Sequence, residues 1–226
     1  MKEYPKIQNV FLRSVETGLL TPTIKVQEVT CIDKWVATEK IDGTNIRVDF
    51  RHSPTEGESL LTIGGRTSKA QLNGELVNRL CELLPLSKLA SIVPEGWEGA
   101  HSVTLFGEGY GAGIQKGGGY SSVKDFALFD VLVNDRVWLG EEAVTDMAEE
   151  LGITRAPVYH YAMTLLAAIQ VVTGGFFSLI PGATCKAEGL VLKPKHPLAD
   201  AHGNRVIVKL KTKDFEAAGP LEGVLF

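Results

Sequence analysis

The stretch WVATEKIDGTNIRVDF, residues 35–50, holds a short apolar run, an Asp42-Gly43 step and then Ile46, Val48 and Phe50 alternating with polar neighbours. A period of two places alternate side chains on opposite faces of a strand, and Asp-Gly between two such runs is a strong hairpin signal. The stretch is therefore predicted to be a β-hairpin carrying Lys40 just before its turn. Downstream, 60–63 reads as a strand, and 69–84 as a helix stopped by Pro85. A strand over 102–106 runs into the glycine-dense FGEGYGAGIQKGGGY at 106–120, whose glycines suggest mobility. Further strands are predicted at 126–133, 189–193 and 205–211. Helices are predicted at 141–151, where Glu141 and Glu142 suit the dipole of a first turn, and at 163–172.

Strands interleaved with helices, with hairpin signals in place of regular crossovers, point to an α+β fold with largely antiparallel sheets and flanking helices. No internal repeat, low-complexity tract or Pro/Gly/Ser-rich linker divides the chain, so residues 1–226 are expected to form a single domain. With 226 residues, 44% of them hydrophobic and 22% charged, the chain has enough material for a substantial core. The opening MKEYPKIQNVFLR lacks the apolar stretch of a secretory signal, and no apolar run is long enough to cross a bilayer. The expectation is a soluble, cytoplasmic protein with no membrane partner, monomeric in solution. Cys31, Cys81 and Cys185 are odd in number and outside any C-x-x-C spacing, so they read as reduced, buried thiols, not as a disulfide framework or zinc site. The five histidines likewise show no metal-ligand spacing.

A net charge of −4 excludes a protein that coats nucleic acid with a uniformly basic surface. The distribution is uneven, however: Lys193, Lys195, Arg205, Lys209, Lys211 and Lys213 face only Asp200 in the same tract. This tract allows a local basic wall on an acidic protein. Gly107-x-Gly109-x-x-Ala112 formally fits the dinucleotide fingerprint, but Gly113 and Gly117 to Gly119 stand where its phosphate-binding helix would begin.

Glu39-Lys40-Ile41-Asp42-Gly43-Thr44-Asn45 resembles the K-x-D-G motif of covalent nucleotidyltransferases, which include DNA ligases, RNA ligases and mRNA capping enzymes. Ile63-Gly64-Gly65-Arg66-Thr67, Leu105-Phe106-Gly107-Glu108-Gly109, Phe126-Ala127-Leu128-Phe129-Asp130-Val131, Glu188-Gly189-Leu190-Val191 and Val208-Lys209-Leu210-Lys211 resemble that superfamily's later elements, in the family's order. Asn45, in the pattern K-x-x-G-T-N, and the opening Tyr4-Pro5-Lys6-Ile7 are similar to the RNA-ligase-2-like branch; many DNA ligases and capping enzymes carry Arg at the position of Asn45.

The resemblance implies a nucleotidyltransferase (ATP-grasp-like) ligase adenylation domain. It also implies an ATP-dependent RNA ligase that joins 5′-phosphate and 3′-OH ends through lysyl-AMP and adenylated-end intermediates, on RNA or nicked duplex nucleic acid. Lys40 would be the nucleophile, with Lys209 and Lys211 assisting. Glu39, Ile41, Asn45, Arg66, Glu108, Phe129, Lys209 and Lys211 would line the nucleotide pocket, with Glu108 on the ribose and Phe129 stacked on the purine. Glu188 would hold Mg²⁺ or Mn²⁺.

These residue types suit the chemistry. A lysine amine attacks phosphorus only when unprotonated, a form that neighbouring cations favour, and nucleotidyl transfer gains chiefly from positioning and charge neutralisation. Only fifteen residues follow Lys211, so neither the OB-fold of DNA ligases nor the helical C-terminal domain of RNA ligase 2 is expected here. A DNA ligase, a GTP-dependent capping-type enzyme and a non-catalytic RNA-binding module of the same fold are the alternatives.

Overall fold

The computed structural model describes residues 2–53, 58–92, 101–115 and 117–218. Its strands are β1 (Gln8–Asn9), β2 (Phe11–Arg13), β3 (Leu20–Ile24), β4 (Trp35–Lys40), β5 (Thr44–Ser53), β6 (Glu58–Gly65), β7 (His101–Tyr110), β8 (Asp125–Val133), β9 (Val137–Trp138), β10 (Thr154–Arg155), β11 (Val158–Met163), β12 (Gly189–Pro194) and β13 (Val208–Lys211). Its helices are α1 (Gly74–Leu83), α2 (Leu86–Ser91), α3 (Glu141–Glu150), α4 (Leu165–Gly174) and α5 (Thr212–Ala218). The α+β class and the antiparallel character are as expected: apart from the short pairs β1 with β13 and β10 with β8, every ladder is antiparallel.

The chain forms two compact units, one made of residues 1–4 and 42–156, the other of 5–41 and 157–226. The first holds a six-stranded sheet in the order β10-β8-β7-β5-β6, with β9 added on β8. Its core packs Ile46, Val48 and Phe50 of β5 and Leu105 of β7 against Leu76 and Leu80 of α1 and Val144 of α3. The second holds the sheet β1-β13-β12-β4-β11. There Trp35, Ala37, Leu190, Leu192, Val208 and Leu210 turn inward onto Ala168 and Val172 of α4 and Phe215 of α5.

The predicted hairpin over 35–50 does not exist. β4 pairs with β12 and β11, whereas β5 pairs with β6 and β7. A two-residue type I′ turn requires positive φ at both central residues, and neither Asp42 nor Gly43 has it. Gly43 is needed for a different reason. A Cβ there would lie 2.2 Å from the Gly109 carbonyl oxygen and 2.9 Å from Glu108 Cγ, so glycine allows β7 to approach the start of β5. The left-handed pair that the sequence reading missed is Asn134-Asp135, at φ 52° and 54°, which joins β8 to β9.

Other boundaries shift for local reasons. The helix predicted from 69 starts at Gly74, because the Asn73 side chain accepts from the Glu75 and Leu76 amides and caps it there. The strand predicted over 205–211 is regular only from Val208, while Arg205 forms an isolated bridge with Ala199. Gly107 and Gly109 of the glycine-dense run are paired strand residues, so glycine there marks close packing: a Cβ on Gly107 would sit 2.2 Å from the Phe126 ring. Lys116 of that run and residues 54–57, before the strand predicted at 60–63, lie outside the described residues. The cysteines are not buried: Cys31 and Cys81 are exposed and Cys185 is half-buried. Among the described residues no helix is long and apolar enough to cross a membrane.

Gly43→Ala should destabilise the fold by about 1–3 kcal/mol through overpacking, a fall in Tm of roughly 2–12 °C. Gly74→Ala meets nothing within 4 Å and should leave Tm unchanged or slightly raised. Differential scanning calorimetry of the two variants separates the close-approach account from a general intolerance of alanine.

Candidate active site

The nucleophile candidate stands in the middle of a sheet. Gly189 of β12 is registered with Lys40 of β4 on one side and with Lys211 of β13 on the other. Only a residue without a Cβ fits there, since a Cβ on Gly189 would come within 2.0 Å of the Leu210 carbonyl oxygen. Glu188, the residue before it, reaches both neighbours. Its Oε2 accepts from Lys40 Nζ at 2.5 Å and its Oε1 is ion-paired with Lys211 Nζ. Burial pushes the Glu188 carboxyl up, but the two ammonium groups outweigh burial and hold it below the usual carboxylate value. The carboxylate is thus ionised at neutral pH, and the two lysines are held on opposite oxygens of it.

Register also sorts faces. Trp35, Ala37 and Glu39 share the core face of β4 with Leu190 and Leu192 of β12; Lys40, registered with Gly189, and Lys209, registered with Val191, lie on the opposite face with Lys211. Glu39 is 2% exposed. Its Oε2 accepts from the Leu179 amide at 2.7 Å, the Ser178 hydroxyl also bonds to it, and its Oε1 is buried without a hydrogen-bond partner among the described residues. Burial raises its pKa above the ordinary carboxylate value, and the Ser178 and Leu179 hydrogen bonds only partly offset this. Ile41 is 3% exposed and follows directly.

The remaining candidates are on the six-stranded sheet. Asn45 of β5 is registered with Glu108 of β7, so both project from the face opposite the core formed by Ile46, Val48 and Leu105. Asn45 Oδ1 is buried and lacks a hydrogen-bond partner among the described residues. Arg66 is exposed and lies just past the last registered pair, Ile46 with Gly65. Phe129 reaches the same face through a β-bulge. Gly107 is registered with Leu128 and Phe106 with Asp130, which leaves Phe129 as the extra residue.

The bulge switches the parity of β8, so that Phe126, Leu128 and Val131 all point to the core while Phe129 and Asp130 both turn away from it. Phe129 is half-buried, with the Tyr4 ring edge-on at 5.0 Å, and Tyr4 donates its hydroxyl to Asp130 Oδ2 at 2.7 Å. Sequence reading missed the supporting roles of Tyr4, Asp130, Ser178 and Leu179. Only Tyr4 carried a signal, in the resemblance of the chain's opening.

One expectation about the basic tract fails. Lys193 is 3% exposed and registered with Val36 on the Lys40 face of the second unit's sheet, so little of it is open to a phosphate backbone; Lys195 and Lys213 are exposed. Among the described residues no group of three or more His, Cys, Asp or Glu side chains could hold a metal ion.

The family model for RNA ligases matches residues 33–211, a span that contains Lys40, Phe129, Glu188 and Lys211. The chain belongs to the RNA ligase family. Solved structures of Naegleria gruberi RNA ligase show the same fold. A mutant with ATP and Mn matches at a TM-score of 0.65 with 17% identity, covering 95% of this chain and 62% of that one. A mutant with AMP and Mn matches at 0.64 with 18% identity over 94% and 58%, and the ligase with PPi at 0.62 with 18% identity over 96% and 64%. The chain therefore spans about three fifths of the length of these ligases. No curated protein matches the chain.

The opposite settings of Glu39 and Glu188 predict different pH behaviour. Glu39, with its folded pKa raised, is protonated in both states at low pH and contributes nothing there. As pH rises past the unfolded value of about 4.3, the unfolded chain ionises first, and stability falls until the folded pKa is passed. Glu39→Gln removes this loss, so its Tm relative to wild type should rise as pH is raised from 4 to 7. A Tm difference that is flat with pH would contradict the raised pKa.

Proposed function

We propose that this chain is an ATP-dependent RNA ligase in which Lys40 carries the nucleotide. The observation that carries the reading is the placement of Lys40 beside Lys211 on one carboxylate, at the end of a buried strand, in a chain of the RNA ligase family. Lys40 Nζ attacks the α-phosphorus of ATP, forming an N–P bond as pyrophosphate leaves. AMP then passes to the 5′-phosphate of a polynucleotide, and attack by a 3′-OH seals the strand and releases AMP. Lys211 and Lys209, on the Lys40 face of their sheet, supply positive charge where phosphate oxygens gain negative charge.

The residues suit the nucleotide. The buried Oδ1 of Asn45, without a hydrogen-bond partner among the described residues, is an acceptor that would suit a donor of a bound nucleotide. Glu108 shares the Asn45 face, Phe129 offers an aromatic surface from its bulge, and exposed Arg66 is free of the sheet ladder to reach a phosphate. A divalent cation also fits. Mg²⁺ typically takes one or two carboxylates and completes its shell with water and substrate phosphates, and Glu188 is the carboxylate beside Lys40 that would hold it. When bound, such an ion neutralises phosphate charge. An enzyme that consumes ATP works where ATP is abundant, inside the cell.

Incubation with Mg²⁺ and α-labelled ATP, then denaturing electrophoresis, should show a labelled chain for wild type and none for Lys40→Ala. Label from GTP alone would mark a capping-type enzyme, and no label from either nucleotide would leave only a binding module.

A further inference from the structure

Residues 176–187 contain a feature that neither the nucleotide pocket nor the core uses. The amide of Ser178 donates to the Cys185 carbonyl, that of Ala187 to the Phe176 carbonyl, and that of Ala183 closes the tip on the Ile180 carbonyl. Phe177 and Lys186 are registered partners across this two-stranded ribbon. Alternation gives the ribbon two unlike faces. The inner face buries Ile180 and Ala187 at 5% and 3% exposure and packs Phe176 edge-on against Tyr159 at 5.0 Å. The outer face leaves Phe177 at 67% and Leu179 at 46% exposure, beside exposed Lys186.

This face is rigidly tied to the nucleophile strand. The Leu179 amide and the Ser178 hydroxyl hold Glu39, the residue before Lys40, and Ala187 leads directly into Glu188, which holds Lys40 itself. Its charge is unusual as well. In a chain with 27 Asp and Glu, none occurs from residue 151 to residue 187. An exposed aromatic ring registered with a lysine matches a base followed by a phosphate, the repeating unit of a single-stranded nucleic acid.

We propose that the outer face of this ribbon docks one unpaired nucleotide of the RNA, its base stacked on Phe177 and its phosphate paired with Lys186. The proposal rests on the ligase reading and deepens it: the favoured substrate end carries an unpaired base, because a base inside a duplex has both faces covered by its stacked neighbours.

The test measures binding of a 5′-phosphorylated single-stranded RNA and of a blunt RNA duplex to the full chain without ATP, by fluorescence anisotropy. Phe177→Ala should weaken single-strand binding about ten-fold, Phe177→Trp should restore it, and neither should change duplex binding. Lys186→Ala should weaken single-strand binding and lower the salt slope by about 0.7. Labelling by ATP should persist in all three variants.

Unchanged single-strand binding in Phe177→Ala overturns the proposal. So does a wild-type dimer in sedimentation that Phe177→Ala converts to monomer without loss of RNA binding, which would make the face a contact between two copies. Absence of ATP labelling in wild type would defeat the ligase reading alone, since the binding comparison needs no ATP.

Discussion

A half-buried carboxylate between two ammonium groups organises the second unit. Removing Glu188 from water disfavours its ionised form, and only Lys40 and Lys211 on its two oxygens reverse that preference. The three residues belong to, or immediately precede, three neighbouring strands. The register that aligns Lys40, Gly189 and Lys211 is therefore also the register that lets the ions meet. A slip of one residue would turn every side chain on a strand to the opposite face, placing lysines against the core of Leu190, Leu192, Val208 and Leu210. Packing on one face thus fixes the electrostatics on the other.

Parity plays the same part in the first unit, with a deliberate exception. An unbroken β8 would keep strict alternation, and Phe126, Leu128, Val131 and Val133 could not all face the core. The single extra residue in β8 resolves this, and that residue is Phe129. The bulge both repairs core packing and turns an aromatic side chain to the face that carries Asn45 and Glu108. Tyr4 then fixes Phe129 from the side, and its hydroxyl is held by Asp130, the next residue of β8.

These constraints explain what could be read from the chain and what could not. The α+β class and most strands and helices were legible because local periodicity and glycine or proline punctuation decide them. The motif positions were legible because their order matched a family. Pairing was not, because partners far apart in sequence decide it. Asp42-Gly43 looks like a hairpin turn, and only the approach of Gly109 reveals that its glycine serves close packing. β11 was missed because its sequence, VYHYAM, has no clean alternation, and its ladder with β4 is irregular. Lys193 looked like part of a basic wall, yet it lies at the well-covered end of β12.

Two glutamates near Lys40 show why the site needs both units of information, sequence and environment. Glu39 and Glu188 are the same residue type, both largely out of solvent, one next to Lys40 in sequence and the other ion-paired with it. Glu39 meets only neutral donors, so burial prevails and its proton is held more tightly; Glu188 meets two cations, so charge prevails. Environments that drive two carboxyl groups apart in this way allow them different tasks at one pH. Glu188, held ionised, shares its charge between Lys40 and Lys211. Glu39, with Oε2 accepting from the Leu179 amide, anchors the ribbon of residues 176–187 to β4.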